Sequence, residues 1–272
     1  CGLKKSFPRR AGTPNWAYLV PAGGSAPATN SSDAVCYRAS STSDVRTLEK
    51  RFRASFAESA EREVYHHVAG FLHPRLPVIA ASAPERIQLY HWGLIPGWVR
   101  TGEQALLVAG RTLNARLETA AEKPAFRDAV ARRCLVLVDG FFEFREVAGK
   151  KYPYFIRLRT GEPFALGGLA GVWTDPECGD EYPTFTVLTS EASSLLAQIH
   201  NTKRRMPLLL SPEAGAAWLQ NGTGPDLLPD EALDAYPVSR DLLLPLNRAN
   251  HPDVTKRVDY PALYDGHILS ER

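Results

Sequence analysis

The sequence predicts an α+β fold: a largely antiparallel sheet system closed on itself, with a few helices around it. Three observations lead there. Short strand-like segments bounded by turn residues make up most of the chain. Helical patterns appear only now and then, with no regular strand–helix alternation and no internal repeat. The most apolar of the strand-like runs, Cys134 to Val138, ends at Asp139-Gly140 and gives way to aromatics. A short apolar run bounded by turn residues reads as a strand buried on both faces.

The elements follow in chain order. Pro21 to Asp33 is mostly Pro, Gly, Ala, Ser and Asn without periodicity. Such a composition buries too little apolar surface to order itself. Residues 1–34 therefore read as a disordered leader or a mis-assigned start, and residues 35–272 as one domain. The only Met is Met206, so residue 1 is a processed or arbitrary end. Organisation begins at Val35-Cys36-Tyr37-Arg38. Asp44 is placed to cap a helix carrying Leu48, Phe52 and Phe56 on one face. Tyr65–Ala69, Pro77–Ala80 and Ile87–Trp92 read as strands, followed by a Gly/Pro-punctuated loop from Gly93 to Trp98. Leu113–Thr119 precedes a short helix near Pro124–Arg132. After the central strand, Tyr152–Arg159, Phe164–Trp173 and Thr184–Thr189 read as strands. Ser190 starts a helix that runs through Ile199 and ends at His200. Met206–Leu210 is a short strand. Ser211-Pro212-Glu213 opens a helix, with Ser as cap and Pro at the first position, and Asn221-Gly222 stops it. A short helix from Asp230 and a strand near Tyr236–Ser239 complete the pattern.

Composition sets bounds on function. The 272 residues are 44% hydrophobic and 23% charged, as in ordinary globular proteins. No apolar run approaches the roughly 18 residues of a membrane span. The net charge of +2 does not advertise nucleic-acid binding, although a local basic groove is compatible with it. Cys1, Cys36, Cys134 and Cys178 show no CxxC and no zinc-ligand spacing, so neither a disulfide nor a metal is expected.

Five features have the chemistry of a site, and each also has a plainer reading. Glu143 sits among aromatics; it is either a strand-end carboxylate in water or a buried acid/base. Trp92 and Trp98 flank a loop, as core aromatics or as a platform for an unpaired base. Asn114 and Arg116 lie two apart, so in an extended segment they share a face. His200 is a helix-end cation or a catalytic imidazole beside Lys203-Arg204-Arg205. Cys36, two residues before Arg38, is a small buried hydrophobe or a nucleophile.

In order along the chain, these features resemble the SOS response-associated peptidase (SRAP) family. The matching motifs are Cys36-x-Arg38, Trp92-Gly-Leu-Ile-Pro-x-Trp98, Asn114-Ala-Arg116-x-Glu-Thr, the run from Arg133 to Glu143, and Ile199-His200 with Arg205-Met206-Pro207. The resemblance implies one α+β domain with a curved, barrel-like β core. It implies covalent capture of abasic sites in single-stranded DNA by an amino-terminal cysteine, matched by Cys36, whose amine and thiol form a thiazolidine. Asn114 then positions, Glu143 is the acid/base and His200 assists ring opening or closure. Arg38, Trp92, Trp98, Arg116 and Arg205 contact DNA. The implied protein is a cytoplasmic monomer, nucleoid-associated in a bacterium, with no cofactor and no membrane. Phe144 stands where the family usually has Trp. The spacing from His200 to Arg205 exceeds that of some members, leaving Arg204 as the alternative phosphate contact. Cys36 is internal here, so its amine requires either initiation at Val35 or cleavage after it. Cys1 is the competing nucleophile. Two other functions fit the same residues: a cysteine-dependent peptidase using Cys36, His200 and Glu143 or Asn114, and a non-covalent single-strand binding module.

Overall fold

A computed structural model describes residues 37–57, 62–221, 226–244 and 249–263. The expected leader, Cys1 and Cys36 lie outside the described residues. In chain order the strands are β1 (Arg38–Ser41), β2 (Ser55–Phe56), β3 (Tyr65–Ala69), β4 (Arg75–Ala80), β5 (Arg86–Trp92), β6 (Asn114–Arg116), β7 (Arg133–Val138), β8 (Gly140–Val147), β9 (Lys150–Leu158), β10 (Phe164–Thr174), β11 (Glu181–Glu191), β12 (Arg205–Pro207), β13 (Leu209–Leu210) and β14 (Leu233–Pro237). The α-helices are α1 (Val45–Phe52), α2 (Gly102–Ala109), α3 (Ser194–Ile199) and α4 (Pro212–Asn221).

The sheet system closes, as the strand pattern predicts. β5 pairs β4, β4 pairs β7, β7 pairs β10 and β10 pairs β11, all antiparallel. β11 then returns to β5 in parallel, through Thr184↔His91 and Phe185↔Trp92. The result is a small mixed barrel, and closure removes its edges. A second, open sheet runs β14-β9-β8-β1-β3. β7 leads directly into β8, so one chain run crosses from the barrel into this sheet at Asp139.

The central run behaves as its composition dictates. Cys134, Val136 and Val138 point into a core shared with Phe141, Tyr154 and Ile156 of the open sheet. Leu135 and Leu137 point into a core covered by Leu48 of α1 and Trp218 of α4. This is the period-2 alternation of a strand buried on both faces. Gly140 is required at the crossing: a Cβ there would lie 2.4 Å from the Phe155 ring and 2.8 Å from the Ile156 carbonyl. Asp139 ties the same point to the β1–α1 turn, accepting from Thr42 N at 2.6 Å, Ser43 N at 2.9 Å and the Ser43 hydroxyl.

Several local expectations need correction. Asp44 does cap α1, accepting from Thr47 N at 2.8 Å, but the helix stops at Phe52 because Arg53 turns left-handed, φ 53°. Phe56 reaches the same core from β2. The cap of α3 is Ser193, not Ser190, which belongs to β11. The short helix expected near Pro124–Arg132 is present only as a 3-10 turn over Arg127–Ala129, with Ala129 N donating to Phe126 O and Arg132 N to Ala129 O, rather than as an α-helix. Met206–Leu210 divides in two because the chain changes partner, from β11 to β10. Asn221 does end α4, while Gly222 lies outside the described residues.

Candidate functional site

β1 and β8 run antiparallel with Arg38 opposite Phe142 and Ala39 opposite Phe141, so one further step sets Tyr37 level with Glu143. Alternation along β8 then sorts its side chains. Phe141 faces the core shared with the barrel, so Glu143, two residues on, shares that face. Glu143 is 5% exposed and stands opposite Tyr154 of β9. Phe142 faces the other way, in a cluster with Phe155 and Tyr236, with Phe144 packed against it.

Arg38 belongs to that second face. Its Nη1 donates to His67 Nε2 at 2.9 Å and to the Leu242 carbonyl at 3.1 Å, and its guanidinium lies over the Phe144 ring at 5.7 Å. Through these contacts Arg38 braces the open sheet while remaining only partly buried. His67 is 1% exposed, and burial together with the Arg38 charge pushes its pKa down to about 3. It is a neutral acceptor, and nothing in the sequence distinguishes it from the adjacent His66.

His200 caps α3, which packs on β8. Its neighbour Asn201 clamps β8 by exchanging hydrogen bonds with the Glu146 backbone, at 3.0 and 2.8 Å. The Arg205 carbonyl can only accept, so the 3.0 Å contact fixes the His200 proton on Nδ1. Burial lowers the His200 pKa, against the pull of that bond, and Lys203 and Lys151 lower it further. The imidazole is thus neutral, with a lone pair on Nε2.

An open cleft of about 840 Å³ lies beside the end of β1. Tyr37, Trp98, Asn114, Arg116, Thr189 and Arg205 all line it. β6 is inserted in parallel against β11, with Ala115 buried and Arg116 exposed, so Asn114 and Arg116 do share a face. Across β11, β12 brings Arg205 to the same region through Glu191↔Arg205. Arg205 rather than Arg204 therefore lines the cleft; Arg204 is exposed, in a left-handed turn with φ 50°.

The two tryptophans separate. Trp98 is 46% exposed, its indole donating to the Pro124 carbonyl at 3.3 Å. Trp92 is 0% exposed, stacked on Phe185. It cannot meet a base, which corrects its expected DNA contact. Its indole N–H donates to the Leu113 carbonyl at 2.8 Å, holding the residue just before Asn114 from behind. Gly93 makes the exit from β5 possible: its φ is 121°, and a Cβ would lie 2.7 Å from the Ala109 carbonyl.

Among the described residues no group of three His, Cys, Asp or Glu side chains is placed to hold a metal ion. No helix among them is long and apolar enough to cross a membrane.

Fold and site define a class: a small closed barrel buttressed by an open sheet, with an arginine-bearing cleft lined by Tyr37 ahead of β1 and by Asn114, Arg116 and Arg205 around β11. The chain belongs to the SOS response associated peptidase (SRAP) family, whose model matches residues 35–243. It is 34% identical to the abasic site processing protein YoqW of Bacillus subtilis over 189 residues, covering 66% of this chain and 80% of that protein. It is 33% identical to the abasic site processing protein YedK of Escherichia coli over 160 residues, covering 58% and 66%. The abasic site processing protein HMCES of Gallus gallus is 28% identical over 187 residues, 58% of this chain and 54% of that protein. A crystal structure of a Bacteroides thetaiotaomicron protein superposes with a TM-score of 0.73 at 32% identity, over 82% of this chain and all (100%) of the other.

Proposed function

We propose that this protein captures abasic sites in single-stranded DNA covalently, through Cys36 bearing a free α-amine. One observation carries the reading: Tyr37, bonded directly to Cys36, lines the same cleft as Asn114, Arg116, Arg205 and Trp98. The chain connectivity thus makes the residue after the proposed nucleophile a lining residue of the cleft. The names of YoqW, YedK and HMCES, all abasic site processing proteins, support the substrate.

The residues present fit the chemistry. The ring-opened abasic sugar presents an aldehyde. A neutral amine adds to its carbon, and loss of water leaves a Schiff base. The thiol then adds its sulfur to the imine carbon while its proton passes to nitrogen, closing a thiazolidine with net loss of one water. An amide nitrogen cannot begin this, because its lone pair is delocalised into the carbonyl. Glu143, level with Tyr37, is the proton shuttle. His200 offers a basic Nε2 for opening the sugar or closing the ring. Arg116 and Arg205 hold phosphates without reading sequence, and Trp98 offers a stacking face.

The test is a denaturing gel with an abasic single strand and three chains: full length, a chain begun at Met-Cys36, and the latter carrying Cys36→Ala. We expect only the Met-Cys36 chain, after Met removal, to give a shifted band, with the combined mass less one water. A band retained by Cys36→Ala, or formed by the uncleaved full-length chain through Cys1, overturns the assignment.

A further inference from the structure

We propose that Glu118 is a built-in stand-in for a strand phosphate: its carboxylate holds Arg205 at the cleft and is exchanged for a DNA backbone phosphate when a strand enters. The inference rests on the strand-binding reading above and concerns how that grip is set.

The geometry is that of a fork gripping an anion. Arg205 Nη1 meets Glu118 Oε1 at 2.9 Å and Nη2 meets Oε2 at 2.8 Å. This end-on bidentate pairing is the geometry with which arginine recognises carboxylate and phosphate alike. Behind the fork, Arg205 Nη2 also donates to the Thr189 carbonyl at 2.6 Å. That carbonyl accepts the Leu117 backbone N–H at 2.9 Å as well, so it is fixed between β6 and β11.

The two partners differ in how easily they leave. Thr189 is 2% exposed and offers rigid backbone. The Glu118 side chain is 50% exposed, against 16% for Arg205, so water can receive the departing carboxylate at little cost. Thr189 is thus the anchor and Glu118 the exchangeable partner. Arg116, two residues before Glu118, lines the cleft beside this pair. The Glu118 carboxyl is held below the usual carboxylate range, chiefly by its hydrogen bonds to Arg205, with Arg116 adding to the effect. It therefore stays anionic at neutral pH and competes with every phosphate that approaches. The fork is kept in its working orientation, and its grip on ordinary strand is held down.

The experiment measures binding without crosslinking. A fluorescently labelled oligothymidylate without lesions is titrated with the wild-type chain, Glu118→Gln and Glu118→Asp, and anisotropy is read at several salt concentrations. Exposed ion pairs set the scale, so Glu118→Gln should bind about fivefold more tightly at low salt, with the gain shrinking as salt screens the charge. Glu118→Asp keeps the charge and should stay near wild type. If the wild type binds and Glu118→Gln binds no tighter, the exchange is wrong, and Glu118 merely positions Arg205. A wild-type chain that binds no strand at any salt overturns the strand-binding reading and this inference with it.

Discussion

On either side of Asp139 the same chain run makes two different strands. β7 is closed by neighbours on both edges, β4 and β10, and its side chains fill two hydrophobic cores alternately. β8 is also paired on both edges, by β1 and β9. Backbone pairing therefore does not separate the two strands. What separates them is one substitution in the alternation: where β7 places another aliphatic residue, β8 places Glu143, buried between aromatic neighbours and level with Tyr37. On the proposed reading, a scaffold strand becomes a site strand when a polar side chain takes a position that packing would give to an apolar one.

That contrast is testable, starting from the largest effect. Leu137→Ala should destabilise the fold by about 3 kcal/mol, because a fully buried leucine leaves a cavity in a two-sided core. Denaturant unfolding measures this, and the protein that remains folded should crosslink at the wild-type rate. A slowed reaction in the folded fraction would mean that β7 shares in the chemistry. Glu143→Gln should do the converse: crosslinking about a hundredfold slower, within the usual range for general acid–base catalysis, with strand affinity retained. An unchanged rate on abasic strands removes Glu143 from its role. Gly140→Ala probes the crossing itself and should cost about 1–3 kcal/mol through overpacking against Phe155; a neutral result would show that the two strands tolerate a shift at their bend.

The smallest effect is in pH. His67 packs edge-on against Phe142 of β8, and its folded pKa, about 3, lies below the roughly 6.5 of an unfolded histidine. The unfolded chain takes up the proton first. The contribution of His67 is therefore fully present above about pH 6.5 and is lost as pH falls toward 3. His67→Gln should flatten the fall in stability between about pH 6.5 and 4 by up to one proton, as read from urea midpoints across that range. The remaining slope should come from the other histidines that burial pushes down: His91, to about 4, with His73 and His200. An unchanged slope in His67→Gln would place the proton uptake elsewhere.

How much of this was legible in the sequence depended on whether the signal was local. The two-sided burial of β7 follows from its own residues, as do the Asp44 cap and the shared face of Asn114 and Arg116. α2 went unread because its inward residues are only Ala105 and Ala109, while Leu107 is 59% exposed, so no apolar stripe marks it. Trp92 and Trp98 look equivalent in sequence. What buries Trp92 is the parallel return of β11 to β5, a pairing across some ninety residues that no local pattern announces. The same holds for Arg38, whose face is decided by its pairing with Phe142, and for Glu118, whose partner lies 87 residues away.

The Asp139 tie has a consequence for the order in which the protein is made. β1 finds one partner, β3, within about thirty residues, as Arg38↔Ala69 shows. Its other edge and the turn after it wait for Asp139 and β8, 97 residues beyond Thr42. At the usual speed of translation, roughly 5–20 residues per second, that delay lasts on the order of 5–20 seconds. During that interval a nascent chain already contains Tyr37 and everything upstream of it, but Glu143 does not yet exist. On the proposed reading, the cysteine before Tyr37 is therefore made several seconds ahead of the carboxylate assigned to serve it.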